Sequence, residues 1–462
     1  MSRDTQVAVT TQNITQESTM NATESTLAIF GGPKAVDLDP RDTFSWPIVT
    51  PEDEEAVLAV LRTGDMSGLD VTMAFEQEFA AWQGTRYALA FNNGTSALLA
   101  ALFAVGVGVG GEVICPSMTY WASALPCFNL GASVMFTDID TDTLCINPNQ
   151  FENRIKDQTQ AIMVVHYAGY PADMDTIMAI ADKHSVPVIE DVSHAQGGLY
   201  KGRKLGTFGK VSAMSLMSGK SLPIGEGGML VTDDLECYER AVAFGHYRRF
   251  NDSITSDELK KVRGLPLGGI KGRLNQLCSA MGRVQLQHYD ERSAEVRKAI
   301  NYFWDQLQGL PGIHAHRVPA DSGSTMAGWY AAKGLYKALE LQGLSVTRFA
   351  EAVRAEGSQC QPGVNLPLHL HPLFRTYDVY GHGKPTINAH SKRDVRQPPI
   401  SLPVSKVIGN LTFGIPQFKR YNPDVIDQHA AAYRKVAENY RELKAGDTGN
   451  PRSLTDWACN LD

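Results

Sequence analysis

Six short apolar runs, near residues 88, 113, 134, 162, 186 and 211, alternate with stretches of helical character. This alternation limits the possible folds more than any other feature of the chain. Runs of four or five apolar residues bounded by turn signals suit strands buried on both faces. Strands that alternate with helices assemble into a mainly parallel sheet covered on both sides. After about residue 240 the alternation lapses. The reading is an α/β protein with a tail over residues 1–26, a large domain over 27–294 and a smaller C-terminal domain over 295–462.

Two of the runs end in chemistry. The run at 186–189 leads into Glu190, Asp191 and His194, and the run at 211–214 leads into Ser215 and then Lys220, before a Gly225-Glu226-Gly227-Gly228 bend. Ligands of open α/β sheets bind beyond the carboxyl ends of the strands, so these groups should converge on one crevice. A sheltered lysine can lose its proton and form a Schiff base with a carbonyl. If that carbonyl belongs to pyridoxal phosphate, the ring nitrogen needs an anion to stay protonated. Asp191 can supply the anion, His194 can bond the ring hydroxyl and Ser215 can bond the phosphate. Taken singly, Asp191 would be read as capping a turn and Lys220 as a solvated surface lysine. The ordered combination favours the chemical reading.

Further segments fill in the frame. Thr50-Pro51-Glu52-Asp53 reads as a capped helix start, with Gly64 as the stop. A second helix, about 71–82, carries Phe75, Phe79 and Trp82 on one face. Residues 91–99 read as strand end, glycine turn and helix start, and the free N–H groups of such a start can hold a phosphate. Asp138, Asp140 and Asp142 mimic a calcium loop, but Thr143 and Asn149 stand where that loop needs Gly and Glu. They are read as a turn after the strand at 134–136. His166, after the strand at 162–165, is read as a hydrogen-bonded structural histidine. Trp121 is read as a core aromatic, and Arg248-Arg249 and the run 257–261 as exposed. His369 and His371 have no third ligand spaced to help and are read as surface or substrate-edge histidines. Helices are expected at 274–289, 295–308 and 426–443, the last with Tyr433, Val436 and Tyr440 on one stripe. Residues 450–462 are expected to be loose.

Composition excludes several roles. A net charge of −7 offers no basic field for nucleic acid. Seven cysteines lie scattered with no C-x-x-C pair, which suits reduced thiols in the cytoplasm. The longest apolar run, 97–110, is too short and glycine-rich to span a bilayer and reads as a buried helix with its exit loop. The first 25 residues are rich in Thr, Ser, Gln and Asn without an apolar segment, and so read as disordered and free of a secretory signal.

The ordered motifs resemble those of the DegT/DnrJ/EryC1/StrS aminotransferases, from about residue 27 to about 444. The carriers are Glu190-Asp191-Val192-Ser193-His194-Ala195-Gln196-Gly197, Lys201-Gly202-Arg203-Lys204-Leu205-Gly206-Thr207-Phe208-Gly209, and Ser215-x4-Lys220-x5-Glu226-Gly227-Gly228. The wording is most similar to the branch acting on keto-cyclitols such as scyllo-inosose. The resemblance implies the fold-type I architecture, with a smaller C-terminal α+β domain, and pyridoxal 5'-phosphate held on Lys220. It implies Gly94 and Thr95 at the phosphate, Tyr120 stacked on the ring, and catalytic roles for Lys220 and Asp191. It also implies a homodimer taking an amino group from glutamine or glutamate to a keto-sugar or keto-cyclitol. Where many family members read G-x-N-x-R, with the Asn reaching the neighbouring subunit's cofactor phosphate, this chain has Lys271. A lysine can pair with phosphate as a point charge. Two alternatives stay open: a non-transaminating enzyme (a sugar dehydratase relative or an aminohydroxybenzoate-synthase type) and a regulatory protein on the same fold. Dehydratase relatives carry histidine in place of the lysine, so Lys220 argues against them.

Overall fold

The computed structural model describes residues 26–457, and the expectations for residues 1–25 and 458–462 lie outside them. The first six expected runs form strands β1 (Tyr87–Phe91), β2 (Glu112–Pro116), β3 (Ser133–Thr137), β4 (Thr159–Val165), β5 (Val188–Asp191) and β6 (Val211–Ser215). A seventh, β7 (Gly228–Thr232), follows the glycine bend and was not anticipated. The sheet order is β1-β7-β6-β5-β4-β2-β3. Strands β3, β2, β4, β5 and β6 run parallel, while β7 is antiparallel to both β6 and β1. The central strands are buried along nearly their whole length, as expected of a parallel sheet covered on both faces.

Helix α1 (Pro51–Thr63) opens with a reciprocal cap between Thr50 and Asp53 and stops at Gly64, which adopts φ 75°. Helix α2 (Asp70–Gln83) buries Phe75 and Phe79, and its Trp82 ring lies 5.1 Å edge-on from Tyr289. Helix α3 (Gly94–Ala104) is apolar on nearly every side and lies inside the molecule. Helices α4 (Met174–His184), α5 (Leu235–Gly245) and α6 (Gln276–Gln287) follow along the chain. Only His288 separates α6 from α7 (Tyr289–Gln306), so the bridging helix begins earlier than residue 295. Tyr289 packs on the first core, whereas Val296, Ile300, Phe303 and Trp304 pack on a second one.

That second core covers an antiparallel sheet of β8 (Ile313–Ala315), β9 (Lys333–Tyr336), β10 (Gln361–Pro362) and β11 (Thr412–Gly414), in the order β8-β9-β11-β10. Helices α8 (Val346–Ala355) and α9 (Pro423–Glu438) supply Phe349, Tyr433 and Val436 to it. Helix α9 ends at Glu438, and Tyr440–Leu443 forms a separate turn beyond Asn439. Leu368, Phe374, Val395, Leu402 and Ile408 lie late in the chain yet pack on the first core. No helix among the described residues is long and apolar enough to cross a membrane.

Three surface readings need correction. Arg249 is buried, with Nη1 2.7 Å from Glu76 of α2, a pairing that offsets the cost of burying its charge. His369 is 1% exposed, with Nδ1 2.7 Å from the Ser117 hydroxyl, so it is an interior group. The described end of the chain is held rather than loose: Asn450 accepts from Thr347 N, and the Trp457 indole donates to Pro367 O. The acid run at 138–142 does make a turn, in which Asp140 accepts from the N–H groups of Asp142 and Thr143.

Candidate active site

Lys220 sits in the loop 216–227 that joins antiparallel β6 to β7. Leu216 N–H donates to Gly227 O and Ser218 N–H to Gly225 O, closing the loop over Gly225 at φ 93°, a conformation that favours glycine. The Lys220 N–H donates to Met217 O, and the Trp46 indole donates to Lys220 O at 2.9 Å. The backbone is thus fixed and the side chain enters a cavity of about 620 Å³. Its Nζ lies 3.5 Å from the centroid of the Tyr330 ring. Burial pulls this ammonium down from the ordinary lysine range to about 8, against the opposing pull of Asp191.

Asp191 closes β5 and is 5% exposed. Ser123 Oγ donates to its Oδ2 at 2.7 Å and Ser193 N–H to its Oδ1 at 3.1 Å. Successive strand residues face opposite sides, so Glu190 turns away from the cavity. It accepts from the N–H groups of Gly206, Phe208 and Gly209 and lies 3.1 Å from His166 Nε2. Glu190 is therefore a structural acid and His166 its partner. Burial raises the Glu190 carboxyl, but the bonds from His166 and the backbone outweigh it and hold the group below its usual range.

His194 accepts from Ala168 N–H through Nδ1 at 3.3 Å, which leaves Nε2 to carry the proton of a neutral ring. Burial, with the charges of Lys220 and Lys333, keeps that ring neutral well below the usual histidine range. Tyr330 packs beside it at 4.7 Å between centroids. Ala168 holds φ 52°, a left-handed conformation unusual for a side chain with a Cβ.

Gly94 and Thr95 open α3 against the end of β6. A Cβ on Gly94 would lie 2.7 Å from Ser215 Cβ, so only glycine permits this approach. The Asn93 side chain accepts from Ser96 N–H. Among the described residues, no acceptor serves the N–H groups of Gly94 or Thr95, and the Thr95 and Ser215 hydroxyls stand nearby. Tyr120 lines the cavity rim at 51% exposure. Trp121, read as core, is 41% exposed and packs on Tyr120 at 4.9 Å, because the turn after β2 carries both rings outward.

One cavity therefore holds Gly94, Thr95, Tyr120, Asp191, His194, Ser215 and Lys220. Lys271 is not among its lining residues; it is exposed, beside Arg248, Arg249 and Arg273. Sequence reasoning missed Trp46, Ser123, Tyr330 and Lys333, and also Tyr167, whose hydroxyl donates to Asn365 at 2.6 Å. Tyr167 and Ser123 stand near residues that were read, His166 and Tyr120, but with no signal of their own, whereas Trp46, Tyr330 and Lys333 come from segments distant in the sequence. The donor set suits pyridoxal phosphate: free N–H groups and hydroxyls at one end, a buried carboxylate, a neutral imidazole N–H, and an amine near 8.

The chain matches the description of the DegT/DnrJ/EryC1/StrS aminotransferase family over residues 47–407. It belongs to that family. As a family member it is an aminotransferase that uses pyridoxal phosphate. It is 31% identical to the L-glutamine:scyllo-inosose aminotransferase of Streptomyces griseus, over 91% of this chain and 99% of the relative. It is also 31% identical to the spore coat polysaccharide biosynthesis protein SpsC of Bacillus subtilis, over 72% of this chain and 85% of that one. The solved aminotransferase from Psychrobacter cryohalolentis superimposes with a TM-score of 0.72 at 28% identity, covering 86% of this chain and 99% of its own. Relatives in this family act on sugars and cyclitols, in keeping with these likenesses.

Proposed function

We propose that this aminotransferase carries the amino group of glutamine or glutamate to the ketone of a cyclitol or sugar, as a cytoplasmic homodimer. The likeness to the Streptomyces griseus enzyme, nearly end to end in both chains, supports the cyclitol acceptor and the glutamine donor. The observation that carries the chemical reading is the Lys220 amine, buried against Tyr330 and opposed to the Asp191 carboxylate within one cavity.

Pyridoxal phosphate supplies an electron sink that makes the α-proton of a bound amino acid acidic. Lys220 Nζ would attach the cofactor and, once released by the donor, move the proton from the donor's α-carbon. An amine near 8 is poised to do both. Asp191, fixed by Ser123 and Ser193, would hold a proton on the ring nitrogen. His194 Nε2–H would donate to the ring hydroxyl. The start of α3, with Thr95 and Ser215, would bind the phosphate, and Tyr120 would cover the ring. Lys271, exposed and outside its own chain's cavity, would reach the phosphate of the partner subunit.

The test is a half-reaction. Cofactor-loaded protein mixed with L-glutamine should form pyridoxamine phosphate in stoichiometric amount. The product should then aminate a free keto-cyclitol in preference to nucleotide-linked keto-sugars. No pyridoxamine with glutamine or glutamate would overturn the donor, and preference for a nucleotide-linked ketone would overturn the cyclitol.

A further inference from the structure

A second lysine lines the same cavity. Lys333 opens β9, where it pairs with Gly414 of β11. Its Nζ donates to Gly363 O at 3.1 Å, beside Gln361 and Asn365 on the cavity lining. The side chain is half-buried, and no Asp or Glu among the described residues pairs with it. The carboxylates that line the cavity are Asp191 and Glu226. Asp191 is engaged by Ser123 and Ser193 and acts electrostatically on Lys220. Glu226 is exposed on the loop that carries Lys220. Burial draws the Lys333 ammonium down to about 8. Its charge reaches His194, which lines the same cavity.

Once Lys220 is joined to a cofactor, Lys333 is the remaining cavity-lining ammonium without a carboxylate among the described residues. A partly desolvated ammonium of this kind favours an anion that arrives with the substrate. A ketone on a cyclitol brings none, whereas every α-amino acid brings its carboxylate. We infer that Lys333 is the docking residue for the α-carboxylate of the amino donor and so selects α-amino acids over plain amines. This deepens the reading given above, because it assigns a residue to donor recognition. Lys333 positions substrate; proton transfer stays with Lys220.

The experiment compares cofactor-loaded wild type with Lys333→Met, Lys333→Gln and Lys333→Arg. The Gln variant keeps a donor toward Gly363 O without charge, and the Arg variant keeps the charge. Two probes differ by one group: L-glutamine and γ-aminobutyramide, the same amine without the α-carboxylate. Loss of one charge-assisted hydrogen bond should raise the half-saturating concentration of glutamine about 10- to 150-fold in the Met and Gln variants. The Arg variant should recover most of that loss, and γ-aminobutyramide should react alike with all four proteins. Glutaramate, which carries the carboxylate but no amine, should bind wild type by calorimetry and bind the Met and Gln variants at least tenfold more weakly.

Unchanged glutamine saturation and glutaramate binding would overturn the inference. So would an equal loss with both amines, or a loss confined to the keto-acceptor half-reaction, which would assign Lys333 to the acceptor. Failure of the donor reading looks different: wild type would ignore glutamine yet accept another L-amino acid. The same comparison would then be made with that acid and its decarboxylated amine.

Discussion

The Lys220 ammonium lies 3.5 Å from the centroid of the Tyr330 ring. The ring withholds water from the nitrogen on one side, and Asp191 supplies the opposing charge. Burial wins, so the lysine is drawn down to about 8. The neutral amine attacks a carbonyl; the ammonium does not.

A pH profile follows with a definite sign. Attachment of pyridoxal phosphate to cofactor-free protein should accelerate about tenfold per pH unit below the Lys220 value and level off above it. Stopped-flow absorbance from roughly pH 6.5 to 9.5 reads it. A profile still climbing steeply at the top of that range would mean that Lys220 is as basic as a solvated lysine.

Asp191→Asn should still bind cofactor but lose turnover at least a hundredfold, or ~3 kcal/mol of transition-state stabilisation. A neutral amide no longer holds a proton on the ring nitrogen. Single-turnover rates with glutamine decide it, and near-normal rates would place Asp191 away from the ring.

Thr95→Ala and Ser215→Ala should weaken cofactor retention more than they slow chemistry on loaded protein. Each removes a hydrogen bond to a charged phosphate, worth roughly 1.5–3 kcal/mol. Equilibrium dialysis against pyridoxal phosphate measures the loss. Unchanged affinity in both variants would move the phosphate site elsewhere.

The dimer can be tested by subunit exchange between Lys220→Ala and Lys271→Ala proteins, at a cofactor level that leaves the latter poorly loaded. If Lys271 serves the partner's site, one site of each mixed dimer combines an intact Lys220 with an intact Lys271. Activity should then exceed that of either parent. No recovery would assign Lys271 to its own chain, and a fully active Lys271→Ala parent would make it a plain surface charge.

The strands β1 to β6 were legible because each is a continuous apolar run between turn residues, a signal that does not depend on neighbours. Strand β7 was hidden because it starts within the glycine bend that marks the loop. Asp191, Ser215 and Lys220 were legible together because two strand ends and one loop deliver them in order. Tyr330 and Lys333 were not. Tyr330 lies within, and Lys333 just after, an irregular stretch in which Gly328, Trp329 and Ala331 hold positive φ, and both reach the cavity only through tertiary folding. Arg249 was misread for the same reason. Its partner Glu76 lies 173 positions away, and a charged pair in sequence looks like surface until that partner is known.

Two amines share the cavity, buried Lys220 and half-buried Lys333, each drawn down to about 8. The central claim is that the cofactor is carried on the first. Borohydride reduction of loaded protein, followed by peptide mapping, reads the attachment point directly. The reduced cofactor should sit on the peptide containing Lys220, and folded Lys220→Ala should carry none and transfer no amino group. Cofactor fixed to Lys333, or retained covalently by Lys220→Ala, would contradict the account.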